Sequence, residues 1–244
     1  GIGAAAVGRV AGQLAWKLRR IAAHSLECSP DDIELRDGRA VVRGRPDLGL
    51  SLRRLAGSAH WNPESLPADV TPGLVETGFE AAPNLDPPDS SDHVSSSAAH
   101  GFIADVAVVE VDPSTGQVEV VDYTTVHDAG RLLNPRIVDG QVHGGFVHGL
   151  GPALLERTVY DEDGNLMTAS FMDYLCTTAT EVPELTIAHR ETLSPYTPLG
   201  AKGLGEGNTM STPVAIANAV ADALGTDQVQ LPLTPPRVWT LLGQ

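Results

Sequence analysis

The stretch GFIADVAVVEVDPSTGQVEVVDYTTV, Gly101–Val126, decides the fold. Apolar and polar residues alternate through Gly101–Val111 and again through Gln117–Val126, the period-two pattern of half-buried strands. Between them, Asp112-Pro113-Ser114-Thr115-Gly116 is a turn, so the two strands read as a hairpin. Upstream, Ile33-Glu34-Leu35-Arg36 and Ala40-Val41-Val42-Arg43 flank Asp37-Gly38, a strong short-range hairpin signal. Downstream, Glu184–Glu191 reads as a further strand. Tyr160 and Leu166–Phe171 read as short strands around Asp161–Asn165.

Helical patterns separate these hairpins. Val7, Val10, Leu14, Leu18, Ile21 and Ala22 recur at helical spacing through residues 4–26. Ser51 is placed to cap a short helix through Ala59. Val138–Arg157 reads as a helix with a glycine-rich first half. Glycine weakens a helix interior, so those glycines predict close packing on something bulky. Ser211 or Thr212 caps a helix opening with Pro213 at its first position and ending before Gly225. Pro235–Leu242 predicts a last short helix. Hairpins separated by helices, without regular βα alternation, give an α+β class with packed helices. The 244 residues suffice for one large domain or two small ones, with a long Pro-, Asp- and Ser-rich loop at residues 81–98.

Composition excludes several functions. The formal net charge of −15 argues against nucleic acid, whose phosphates need clustered Lys and Arg, and against anionic membranes. No run reaches the length of a transmembrane helix, and the basic residues Arg9, Lys17, Arg19 and Arg20 follow the first apolar stretch, so no signal peptide is read. The two cysteines, Cys28 and Cys176, form no CxxC pair and read as two buried thiols of a reducing, cytoplasmic setting.

The chemistry concentrates in Pro198-Leu199-Gly200-Ala201-Lys202-Gly203-Leu204-Gly205-Glu206-Gly207-Asn208. One carboxylate, Glu206, sits among four glycines, with a helix-like stretch beyond. Glycine lets the backbone take φ > 0 and lets a ligand approach closely, so such a loop can aim Glu206 at a large cofactor. The plain alternative is a glycine-rich turn with a solvated Glu.

This run, continued by Pro213-Val214-Ala215-Ile216-Ala217-Asn218-Ala219-Val220-Ala221-Asp222-Ala223-Leu224, resembles the C-terminal signature of the xanthine oxidase family. Asp128-Ala129-Gly130-Arg131-Leu132-Leu133-Asn134-Pro135, Gly140-Gln141-Val142-His143-Gly144-Gly145-Phe146-Val147-His148-Gly149-Leu150-Gly151 and Phe171-Met172-Asp173-Tyr174 resemble the same molybdenum-binding large subunit. The likeness is strongest to the carbon monoxide dehydrogenase-like and aldehyde oxidase-like hydroxylases, and it runs from about Gly1 to Leu242.

The resemblance implies a molybdopterin cofactor with molybdenum, in its cytosine dinucleotide form. It implies water-dependent oxidative hydroxylation of an aldehyde, an N-heterocycle or carbon monoxide. Glu206 matches the family's base glutamate. Gln141 matches a glutamine that approaches the pterin, against the alternative of a helix-start Gln bonded to backbone. Lys202, Gly203, Leu204 and Gly205 are expected to line the cofactor, with Lys202 alternatively a surface charge. His143 and His148 stand five apart, off a common helical face, and read as packing or hydrogen-bonding groups rather than metal ligands. Asp128 and Asn134 read as turn residues, Arg131 as an ion pair, Asp173 and Tyr174 as scaffold, and His93 and His100 as solvated loop residues.

The family's large subunit is roughly three times this length, in the multi-domain regime. The chain therefore resembles its last third, and its expected partners are the rest of the large subunit, an iron–sulfur subunit and an FAD subunit. A non-catalytic remnant or interaction module of the same fold is the second reading.

Overall fold

The computed structural model describes every residue except Asn84, Ala98 and Gln244, the first two of which fall in the 81–98 loop. The chain divides into two compact units, Ile2–Ala82 and the region from Pro83 onward joined by Gly1.

In the first unit, helix α1 (Ile2–Leu26) packs with a three-stranded antiparallel sheet, β1 (Ile33–Arg36), β2 (Arg39–Val42) and β3 (Arg45–Ser51), and with α2 (Leu52–Trp61). The β1–β2 turn is the expected one, with Asp37 at φ 49° and Gly38 at φ 71°, both in the left-handed region that a tight hairpin needs. Ser51 caps α2 by accepting from the Arg54 amide at 3.2 Å. Ile21, Ile33, Ala40, Leu55 and Ala59 form the core. Strand β3 is not legible in the sequence, because Pro46 and Gly49 both weaken a strand pattern. As an edge strand it tolerates Pro46, and Gly49 is required by contact: a Cβ there would stand 2.6 Å from the Ala40 carbonyl oxygen.

The second unit carries β4 (Phe102–Val111) and β5 (Val118–Asp128) as the predicted hairpin, with β6 (Leu185–Arg190) parallel to β5 on its far side. Helices α3 (Pro135–Leu154) and α4 (Gly207–Leu224) pack on each other, and α5 (Pro235–Leu241) closes the end. Tyr123, Phe146, Leu150, Ile216, Val220, Leu233 and Val238 are the buried core. The Tyr123 and Phe146 rings meet edge-on with centroids 4.6 Å apart.

Three expectations need correction. The cysteines are not both buried: Cys28 is half-buried and Cys176 is exposed. Tyr160 and Leu166 form only an isolated bridge, not strands, because Asp161 draws the Asp163 and Asn165 amides into a closed turn instead. Helix α4 begins at Gly207, and neither Ser211 nor Thr212 caps it; Pro213 lies inside the helix. The reason is the neighbouring helix. Gly145 and Gly149 of α3 lie against Asn208 and Thr212, and a Cβ on Gly149 would stand 2.7 Å from the Thr212 Cβ. This close packing, the predicted use of the α3 glycines, holds the first turns of α4 helical ahead of the proline.

Candidate functional site

The glycine-rich run is anchored before it reaches Glu206. The Lys202 amide donates to the Ala129 carbonyl at 2.8 Å, the Arg131 and Ser194 amides both donate to the Gly200 carbonyl at 3.1 Å, and the Thr197 hydroxyl donates to the Ala201 carbonyl at 2.8 Å. Gly130 and Gly200 sit at φ 62° and 71°, and a Cβ on Gly130 would collide with the Gly200 carbonyl. A larger residue at Gly130 would separate the two strands of this clasp.

Asp128 is the centre of the clasp. One of its oxygens, Oδ1, accepts from the Gly130 amide at 3.0 Å, the Thr192 amide at 3.1 Å and the Lys202 ammonium at 3.1 Å. Burial alone would raise its pKa, but these donors outweigh burial and hold the carboxyl well below the usual carboxylate range. The Lys202 ammonium also lies 5.7 Å from the Phe102 ring centre. Lys202 is therefore neither a surface charge nor a free cation: its side chain is buried and engaged by Asp128.

Beyond this anchor, Gly203-Leu204-Gly205-Glu206-Gly207 borders a cavity of about 520 Å³, whose other walls include His100, Gly101, Ile103, His127 and Met210. Glu206 occupies the N-cap position of α4 but makes no side-chain capping bond. Its side chain is exposed, and among the described residues its carboxylate has no hydrogen-bond or ion-pair partner.

Gln141, on α3, reaches the same loop: a Cβ on Gly205 would stand 3.3 Å from Gln141 Nε2. Gln141, Gly140 and Gly144 are exposed on α3, and among the described residues nothing outside the helix backbone lies within 4 Å of where either glycine's Cβ would be; Gly203 is equally open. The glycines split into two kinds: Gly145 and Gly149 seat α4, while Gly140 and Gly144 keep the α3 surface beside Gln141 free of side chains and Gly203 leaves the loop open. The amides of Gly203, Leu204 and Gly205, which donate to no backbone carbonyl among the described residues, and a free carboxamide suit the polar edges of a pterin.

Directly beneath lies a buried polar network that sequence reasoning missed. Asn208 Oδ1 stands 2.5 Å from His127 Nε2, and Asn208 Nδ2 donates to the Thr125 hydroxyl at 3.1 Å and the Asp105 carboxylate at 3.4 Å. With its amide nitrogen engaged as donor, Asn208 accepts from His127, fixing the tautomer with the proton on Nε2. Desolvation lowers the His127 pKa, more than its bond to Asn208 raises it, so the ring is neutral near pH 7. One turn on, the Tyr123 hydroxyl donates to the Thr212 hydroxyl at 3.2 Å. His127 and Asn208 gave no signal of their own in sequence, since a strand His and a helix-start Asn are individually ordinary. His100 proves to border the cavity. His143 bonds the Asp139 carbonyl through Nδ1 at 2.8 Å, and Tyr174 donates to Glu156 at 2.6 Å. Among the described residues no group of three His, Cys, Asp or Glu could hold a metal ion.

Residues 1–183 match the model of the molybdopterin cofactor-binding domain family. The chain belongs to that family. It is 40% identical over 235 residues to the nicotine 6-hydroxylase large subunit of Paenarthrobacter nicotinovorans, covering 95% of this chain and 27% of that one. It is 32% identical over 246 residues to the carbon monoxide dehydrogenase large chain of Hydrogenophaga pseudoflava, covering 100% and 29%. Among solved structures it superimposes on quinoline 2-oxidoreductase from Pseudomonas putida 86 with a TM-score of 0.77 and 35% identity, covering 100% of this chain and 30% of that one. The resemblance drawn from the glycine-rich run and the blocks before it is thereby established, as is the α+β molybdenum-binding fold. The chain spans less than a third of the length of these relatives.

Proposed function

We propose that this chain is part of the molybdopterin-binding large subunit of a molybdenum hydroxylase and supplies the base of the reaction, Glu206. The observation that carries the reading is a free carboxylate on an anchored glycine loop, at the rim of a cavity, with the Gln141 carboxamide against the same loop. When bound, the molybdopterin group supplies the two-electron redox chemistry that no side chain offers.

Gln141 and the backbone of Gly203, Leu204 and Gly205 hold the pterin by hydrogen bonds. Lys202 serves the same site indirectly, its ion pair with Asp128 fixing the base of the loop. Glu206, at the amide-rich start of α4, accepts a proton from the water-derived oxygen that is transferred to substrate. Loss of such a base typically costs about 100- to 10,000-fold in rate. The substrate class is an aldehyde, an N-heterocycle or carbon monoxide. The cytosine dinucleotide form of the cofactor, a cytoplasmic location, and partner chains carrying iron–sulfur clusters and FAD complete the proposal.

The test is Gln141→Ala in the assembled enzyme, followed by molybdenum and pterin analysis. Cofactor content is expected to fall, with activity declining in proportion. Full cofactor content in the variant would remove Gln141 from the site.

A further inference from the structure

The sheet of the second unit ends in two very different edges. Strand β6 is short, its outward residues Thr186, Ala188 and Arg190 are mostly polar, and His189 is covered by a 2.8 Å bond to Asp139. Strand β4 is ten residues long, contains neither Lys nor Pro, and among the described residues pairs only with β5. Its outward row is Phe102, Ala104, Val106, Val108 and Glu110, with Phe102 70% and Val106 63% exposed. Along its other side runs a groove toward α4, lined by Ile103, Asp105, Met210, Ser211 and Val214. Met210 and Val214 are also exposed.

The floor of that groove is polar and incomplete. Asp105 Oδ2 and Ser211 Oγ are buried from solvent and have no hydrogen-bond partner among the described residues. A buried carboxylate oxygen without a donor is costly, and native proteins rarely leave one so. A long apolar edge strand is likewise a template for another strand, which proteins normally blunt with Lys, Pro or brevity, as in β6. Both deficits lie along one line, and a single extended segment laid on the β4 edge would remove both.

We propose that the free edge of β4, together with the groove beside it, docks an extended segment of the remaining part of the molybdopterin-binding large subunit, which adds a strand to β4. That segment carries a hydrogen-bond donor, Lys, Arg or a carboxamide, over Asp105, and apolar side chains over Val106 and Met210. The occupant is specified by length and charge. The curated relatives that this chain matches run more than three times as far, so most of such a subunit lies outside these 244 residues. Asp105 Oδ1 accepts from Asn208 Nδ2 at 3.4 Å, which leaves Oδ2, without a partner among the described residues, for a donor from the docked segment. This inference rests on the proposed function, because the occupant is a part of the subunit that reading assumes. Backbone pairing supplies the affinity of such strand addition, and alternate side-chain pockets supply its register.

The test is hydrogen–deuterium exchange on the purified native assembly, with its polypeptides identified and its molybdenum measured. The β4 amides that β5 does not use are expected to exchange at least tenfold more slowly than in the 244-residue chain alone. Val106→Lys, at an exposed position, is expected to leave melting of the isolated chain unchanged and to weaken association at least tenfold, while Thr186→Lys on β6 has no effect. A molybdenum-containing assembly whose β4 amides exchange as in the isolated chain would overturn the docking alone. A protein with no molybdenum and no further large-subunit polypeptide would overturn the functional reading and the docking with it. Protection of β4 in a homodimer of this chain would replace the proposed occupant with a second copy.

Discussion

Glu206 and Asn208 stand two residues apart at the start of one helix, and their surroundings could hardly differ more. Asn208 is buried, with both amide atoms engaged by groups on β4 and β5. Glu206 is exposed, uncapped and, among the described residues, unpartnered. The contrast shows how the fold leaves one carboxylate unengaged: the helix start is fastened to the sheet through Asn208 and the loop before it through Asp128 and Lys202, so the carboxylate between them is positioned by backbone alone. Its own oxygens remain available.

If that division is right, the two positions break in opposite ways. Asn208→Ala removes the acceptor of the buried His127 N–H and a donor to Thr125, and is expected to destabilise the chain by roughly 2–4 kcal/mol, since each buried group left unsatisfied costs about 1–3 kcal/mol. Thermal unfolding checks it; a loss under about 1 kcal/mol would show that the network does not fasten the helix. Gly149→Ala attacks the same helix start from α3. Its methyl would crowd Thr212 and Pro213, and overpacking of this kind costs about 1–3 kcal/mol. Gly140→Ala, with open space around it, should cost about 1 kcal/mol less than Gly149→Ala or even stabilise the helix, and paired melting curves of the two variants check the difference.

A smaller effect is written in pH. The His127 pKa is lowered from 6.5 by burial, so above about pH 6.5 the ring is neutral in both folded and unfolded chains and contributes no slope. As the pH falls below that value the unfolded chain takes up the proton first, and stability declines until the folded pKa is passed. His127→Gln should flatten this part of the melting-temperature profile, below about pH 6.5. An unchanged slope would assign it to other groups.

Much of the fold was legible because its signals are local. The periodicity of α1, the Asp37-Gly38 turn, the alternation of β4 and β5 and the Ser51 cap each depend on neighbours in sequence. What failed depends on neighbours in space. Pro213 reads as a helix start until Gly145 and Gly149 are seen to hold the preceding turns, and β3 is invisible until Ala40 is seen to require Gly49. At the site, the glycine run and Gln141 were visible as a pattern, and the structure brings Gln141 against Gly205. The pairing of Lys202 with Asp128 and the seat made by His127 and Asn208 were not visible. Those contacts join residues far apart in the chain, 81 positions in the case of His127 and Asn208.

The proposed role of Glu206 is tested most directly by turnover of the assembled enzyme, normalised to molybdenum, in Glu206→Gln. Glutamine keeps the shape and the open loop but cannot take the proton. Turnover is expected to fall about 100- to 10,000-fold with molybdenum content and melting temperature near those of the parent, because Glu206 bonds nothing among the described residues of the fold. Wild-type turnover per molybdenum would contradict that role.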